Sequence, residues 1–287
     1  IVGVGNMGGG MAGRLLEQGW GVRACDLVGD KVAALQAQGA TAAPTPAQAA
    51  QGVHAFIVCV VDAAQSEQVL FGPRGAAASL AAGTPVLLCP TIAPEDVERL
   101  GGRLAQAGLL PVDAPMSGGP ARARDGTMSL MVACEDRAYQ RAEPLLGVLS
   151  ARLFRVGSRL GDGARTKLVN NLLAGINLAG VAEALALAQR LGLDPARTLD
   201  VVEQSSGQSW IGSDRLRRAI AGDYAPRAHM TLLHKDTGLA LAAAAAAGFD
   251  APIGREAHAR FQAAVAAGLA DHDDAALFLL ASGGKST

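Results

Sequence analysis

Apolar positions in the first 160 residues fall in short runs separated by stretches of helical spacing. Runs at residues 1–4, 22–25, 55–61, 86–89, 110–112, 129–133 and 153–156 predict strands. Residues 7–18, 31–38, 95–107 and 137–149 repeat their apolar positions every three to four residues, which predicts helices. Strands alternating with helices need crossover connections, so this half reads as a parallel, doubly wound sheet. The rhythm changes beyond Gly163. Residues 164–191 form one unbroken helical run of roughly 28 residues, about 42 Å long. Helical stretches at 195–204, 214–220, 231–247, 253–267 and 274–281 follow, and no strand is expected after residue 160. Asp194-Pro195 has the form of an N-cap followed by a first-turn proline. The expected fold is therefore α/β. An N-terminal doubly wound sheet domain spans 1–160. An all-α domain spans 161–287, opened by a long helix that runs past the crevice between the two.

Composition narrows the class. Half of the 287 residues are hydrophobic and 18% are charged, which excludes intrinsic disorder. A net charge of −1 gives no bulk attraction to nucleic acid or to an anionic membrane, and neither partner is expected. No uncharged apolar run reaches the roughly 18 residues of a membrane span, and the alanine-rich segment 239–249 is too short. Cys25, Cys59, Cys89 and Cys134 make no CxxC pair, and the first three close strand-like runs, so buried, reduced thiols are expected. The five histidines lack ligand spacing, and no metal site is expected. Residue 1 is Ile within a predicted strand, so further residues are expected ahead of it. A leader peptide stays open, and a cytoplasmic location is the working expectation. Only four of the 25 basic residues are lysines: Lys31, Lys167, Lys235 and Lys285. A lysine inside an apolar segment of such an arginine-dominated chain needs a reason.

Gly3-Val4-Gly5-Asn6-Met7-Gly8 is a GxGxxG sequence at a predicted strand-to-helix turn. Gly3 permits the turn, Gly5 lets backbone approach a pyrophosphate, and Gly8 lets the helix pack closely on the sheet. Asp26 ends the second strand, 18 residues after Gly8. An acidic group there accepts hydrogen bonds from ribose hydroxyls and repels a 2′-phosphate, and no Arg follows it closely. A Rossmann-type domain that binds NAD in preference to NADP is the expectation. Asn6, Met7, Val60 and Val61 border the same site.

Three further segments add chemistry. Asp113-Ala-Pro-Met-Ser117-Gly118-Gly119 follows a strand, and Arg122 and Arg124 come just after it. Gly163-Ala-Arg-Thr-Lys167-Leu-Val-Asn170-Asn171 opens the long helix, and His234-Lys235-Asp236 lies on a later one. With the glycine motif, these resemble the β-hydroxyacid dehydrogenase family over nearly the whole chain. On the residues alone, Ser117 with the Gly118 and Gly119 N–H groups forms a small nest suited to a carboxylate, or a plain turn. Lys167 and Asn171, four apart, share a helix face among apolar neighbours, where partial burial would lower the amine's pKa.

The resemblance implies an oxidoreductase that interconverts a small β-hydroxy acid and its oxo acid or semialdehyde by hydride transfer. Lys167 would be the general acid/base, and Ser117, Gly118, Gly119 and Asn171 would hold the substrate. Thr91 and Lys235 would touch the cofactor, and Asn170 and Asp236 would support the site. The chain departs from the family pattern at Pro90, which replaces a serine beside Thr91, and at Val60-Val61, where Leu-Pro is common. It departs again at Ala228, where an aromatic is frequent. Arg122 is a candidate to read a second polar group of the substrate, as is Arg124. The Arg-bearing loop and the missing aromatic lean towards a polyhydroxylated acid of the threonate or glycerate type over 3-hydroxyisobutyrate. A homodimer or homotetramer is expected from the apolar long helix.

Three alternatives stand beside this reading. A 6-phosphogluconate dehydrogenase-like enzyme would carry His-Asn where this chain has Asn170-Asn171. An imine reductase-like enzyme typically lacks the lysine kept here. A non-catalytic dinucleotide-binding module has no use for Lys167, Asn171 and the glycine loop together.

Overall fold

A computed structural model of the chain describes residues 1–283. The chain divides into two compact units, Ile1–Lys167 and Leu168–Thr287, so the division falls inside the long helix.

The first unit contains strands β1 (Arg23–Ala24), β2 (Thr41–Ala42), β3 (Phe56–Val58), β4 (Pro85–Leu88), β5 (Leu110–Asp113), β6 (Met116–Ser117), β7 (Ser129–Ala133) and β8 (Arg152–Gly157). Its helices are α1 (Asn6–Glu17), α2 (Gly29–Gln36), α3 (Pro46–Ala49), α4 (Ala63–Phe71), α5 (Pro94–Gln106), α6 (Gly119–Asp125) and α7 (Asp136–Leu149). The first predicted strand is reduced to Val2, which bridges Cys25 on one side and Val58 on the other. The order β2–β1–Val2–β3–β4–β5 follows, all parallel. Chain direction across the sheet therefore reverses at Val2, the switch point where open α/β sheets bind ligands.

Period-two alternation covers both faces of this sheet. Ile57, Leu87 and Val112 pack with Met11, Leu15, Leu145 and Leu146 from α1 and α7. Phe56, Val58, Val86 and Leu88 pack on the other face with Val69, Leu70, Val97 and Leu100 from α4 and α5. The expectation of an all-parallel sheet is corrected at β7, which runs antiparallel to β5 and β6 and parallel to β8. The connection back from β6 is only the seven-residue α6, closed by left-handed Gly126, and this returns the chain without a crossover.

The long helix α8 spans Asp162–Arg190. It is followed by α9 (Pro195–Glu203), α10 (Trp210–Ile220), α11 (Met230–Ala246), α12 (Pro252–Ala264) and α13 (Leu277–Ser282). Asp194 caps α9 as expected, accepting from the N–H groups of Ala196 and Arg197 ahead of Pro195. After β8 the described residues hold one isolated bridge, His229 to Asp273, and no strand. By length and mean hydropathy α8 could cross a membrane, although Lys167 and Glu183 leave it no uncharged apolar run of the expected length. Leu178, Val181, Ala182 and Leu185 of α8 pack with Phe261, Leu277 and Phe278 in the core of the helical unit.

Candidate active site

The glycine loop sits at the switch point because its backbone admits nothing larger. Gly3 has φ +85°, and a Cβ there would lie 2.4 Å from the carbonyl oxygen of Cys59. A Cβ on Gly8 would lie 1.9 Å from the carbonyl oxygen of Gly3. Gly5 differs: the one atom within 4 Å of its Cβ position is the ammonium nitrogen of Lys31, at 3.9 Å. The first two glycines close the turn, and the third leaves its outer side to a ligand. Helix α1 starts here without an acidic residue in its first turn or a side-chain cap, as a phosphate-binding helix end requires. These features fit a dinucleotide. Asn6 and Met7 begin α1. Val60 lies against Gly3, and Val61 donates its N–H to Gln65. Thr91 follows β4 at the same end of the sheet.

Asp26 is held by two backbone donors, Val4 N–H at 2.7 Å and Val28 N–H at 2.9 Å. It does cap a turn, and that bonding fixes the carboxylate beside the glycine loop. Lys31, on α2, was not singled out as a site residue from the sequence. Its rarity as a lysine was the available signal.

Ser117 closes β6, and Gly118 (φ +134°) and Gly119 (φ +76°) turn the chain into α6. A Cβ on Gly118 would meet Arg122 at 2.8 Å, so Arg122 packs over the loop it follows. Nothing lies within 4 Å of the Cβ position of Gly119. Arg124 is engaged elsewhere: its guanidinium binds Glu17 at 2.6 Å and Gln38 at 2.9 Å. It ties α6 to α1.

Lys167 lies in the second turn of α8 with 8% of its surface exposed. In the same unit, Asp113 at the end of β5 is 1% exposed and reaches the start of α8. Its Oδ2 accepts from Gly161 N–H and Ala164 N–H, both at 3.0 Å. Burial pushes its carboxyl up to about 7, against the pull of the Ala164, Gly161 and Gly163 N–H groups. Asp113 opens the motif that runs on to Gly119, and the sequence alone does not mark this contact.

In the helical unit, Asn171 is buried and donates from Nδ2 to Asp236 Oδ2 at 2.6 Å. Asp236 Oδ1 accepts from the Lys235 ammonium at 2.7 Å. Asn170 donates to Asn171 Oδ1 at 3.0 Å. Asp236 lies well inside α11. The four side chains form one hydrogen-bonded row. All four cysteines are free, with Cys59 the least buried.

Residues 1–157 match the family model for the NAD binding domain of 6-phosphogluconate dehydrogenase. Residues 161–281 match the model for the NAD-binding domain of NADP-dependent 3-hydroxyisobutyrate dehydrogenase. The L-threonate dehydrogenase of Cupriavidus necator is 38% identical over 283 residues, covering 99% of this chain and 95% of that protein. The 3-hydroxyisobutyrate dehydrogenase of Pseudomonas aeruginosa is 38% identical over 262 residues, covering 88% of this chain and 87% of that protein. The crystal structure of a 3-hydroxyisobutyrate dehydrogenase from Salmonella typhimurium superposes with a TM-score of 0.92 at 35% identity, covering 97% of this chain and 98% of that one. With a dinucleotide loop at the switch point and a buried lysine on α8, these likenesses have one meaning: the chain belongs to the β-hydroxyacid dehydrogenase family and is an NAD(P)-dependent oxidoreductase of hydroxy acids.

Proposed function

We propose that the chain oxidises a small polyhydroxylated acid of the threonate type with NAD, and that Lys167 carries the proton. The observation that supports this most is Lys167 itself, a buried amine in a chain with four lysines, in the same compact unit as the dinucleotide loop. Gly3, Gly5, Asn6, Met7, Gly8, Asp26, Val60, Val61 and Thr91 would hold the dinucleotide, whose nicotinamide would supply hydride acceptance. The chain's own residues do the rest. Ser117 and the N–H groups of Gly118 and Gly119 take the carboxylate. Neutral Lys167 accepts the hydroxyl proton as negative charge grows on oxygen, and its ammonium form returns the proton in reduction. Asn171 commits Nδ2 to Asp236, and its Oδ1, which accepts from Asn170, has a second lone pair for one donor more. The Asp236 pairing gives Lys235 a second duty beside any cofactor contact.

The anchored Asp26 carboxylate repels a 2′-phosphate, which supports NAD. The absence of an aromatic at Ala228, together with the names of the threonate-oxidising relatives, supports a polyhydroxylated substrate over 3-hydroxyisobutyrate. The helical unit serves assembly: Val169, Leu173 and Leu187 leave an exposed apolar edge along α8, continued by Leu191, which suits a homodimer or homotetramer. The test is NADH or NADPH formation at 340 nm with threonate, glycerate, 3-hydroxyisobutyrate and serine. Threonate with NAD is expected to give the highest kcat/KM. Preference for 3-hydroxyisobutyrate or for NADP would overturn the specificity reading, and dinucleotide binding without turnover on any acid would favour a non-catalytic module.

A further inference from the structure

We propose that Asp113 is a positioning residue for proton transfer: its buried carboxylate clasps the first turn of α8 and so fixes the backbone from which Lys167 projects. The inference rests on the assignment of Lys167 made above.

The first N–H groups of a helix have no intrahelical partner and are usually satisfied by a neighbouring side chain. Asp162, the first residue of α8, is not available for this. Its carboxylate is taken by Arg159 and Arg165. Asp113 does the work instead, from a strand 48 residues away from Gly161 and 51 from Ala164. A local cap would stabilise the helix and leave it free to slide. This cap pins the helix to the end of β5.

The seat is close-fitting. A Cβ on Gly163 would lie 2.9 Å from Asp113 Oδ1 and 2.7 Å from the Met131 carbonyl oxygen. Gly161 takes φ +90°, a conformation that favours glycine. The turn descends onto the carboxylate because both positions lack side chains. Lys167 follows Gly163 by four residues and Ala164 by three, so it stands directly over the clasped turn. A shift of that turn by about 1 Å is enough to cost roughly 100-fold in a positioned reaction. The charge itself is poorly served, since Asp113 Oδ1 has no hydrogen-bond partner among the described residues. What the site uses is an acceptor oxygen at a fixed place.

The experiment compares Asp113→Asn, Asp113→Glu and Asp113→Ala with Lys167→Met, reading kcat and the NADH dissociation constant in the full chain. Asn keeps an acceptor oxygen in the same place and loses the charge. Glu keeps the charge and displaces the oxygen by one methylene. The inference expects Asn within about threefold of wild-type kcat, and Glu and Ala down by about 10- to 100-fold, with NADH affinity held within about twofold. Glu outperforming Asn would show that charge matters and placement does not. Should Ala fail to fold, the Asn-to-Glu order decides alone. Equal falls of kcat and NADH affinity in Asn and Glu would reduce Asp113 to a structural residue. If Lys167→Met is inactive while Glu and Ala turn over normally, this inference alone falls. If Lys167→Met keeps its turnover, the lysine reading fails and takes this inference with it.

Discussion

The two units bury their carboxylates by different means. In the α/β unit Asp113 is sealed in with backbone N–H donors and no cation, and burial lifts its carboxyl to about 7. In the helical unit each buried carboxylate has a cation. Asp236 has Lys235, Asp273 has Arg218 at 2.9 Å, and Asp274 has Arg215. A cation alone does not decide the proton. Burial outweighs Arg215 at Asp274, which is also lifted to about 7 with Asp273 close by. At Asp273 the opposing bonds win. Arg218 and the N–H groups of Ala275, Arg227 and Ala228 together hold it below the usual carboxylate range despite burial. Three N–H donors without a cation leave Asp113 high, and a cation without N–H donors leaves Asp274 high; Asp273, which has both, is the one held low.

The largest expected effect lies in the helical unit. Arg218→Ala leaves Asp273 with only the more distant Arg215, at 4.0 Å, and should cost about 3–5 kcal/mol of stability, read by urea or thermal unfolding. A loss below about 1 kcal/mol would mean that the three backbone donors and Arg215 are enough to carry Asp273. A smaller effect is expected from Asp236→Ala, which removes the acceptor of two charge-assisted or buried bonds. About 1.5–3 kcal/mol should be lost, with turnover falling as the Asn171 amide is freed. Unchanged turnover would separate the Asn171 row from the chemistry.

The smallest effect is a slope. Asp113 and Asp274 hold their protons more tightly folded than unfolded, where a carboxylate titrates near 4. Their contribution is therefore fully present below about pH 4 and is lost as pH rises through about 7. Asp113→Asn should remove its share and flatten the decline of Tm between about pH 4 and 8. A slope as steep as wild type would show that Asp113 is ionised throughout.

Much of this was legible in the chain. The glycine loop, Asp26 and every long helix followed from spacing and capping residues, because local patterns encode them. Strand direction did not. A buried strand such as β7 shows the same continuous apolar run whichever way it points. Helices α4 and α6 were missed because they carry little apolar period: α6 has no aliphatic residue larger than alanine apart from Pro120, and the large apolar residues of α4, Val69, Leu70 and Phe71, crowd at its end. At the site, the family resemblance marked Lys167 and Asn171, and their i, i+4 spacing put them on one helix face. The role of Asp113 was not legible, because its partners are backbone amides some fifty positions away. The neighbourhood of Lys31 and Gly5 was hidden likewise, since it arises from the fold of α2 over the loop.

The central claim is tested most directly by Lys167→Arg, which keeps a cation on α8 and cannot release its proton at working pH. The measurement is the single-turnover rate of NADH formation from threonate across pH 6–10, together with the NADH dissociation constant. The account predicts unimpaired NADH binding with the rate lost by about 1,000-fold or more at every pH. Turnover near the wild-type rate in that variant would contradict it.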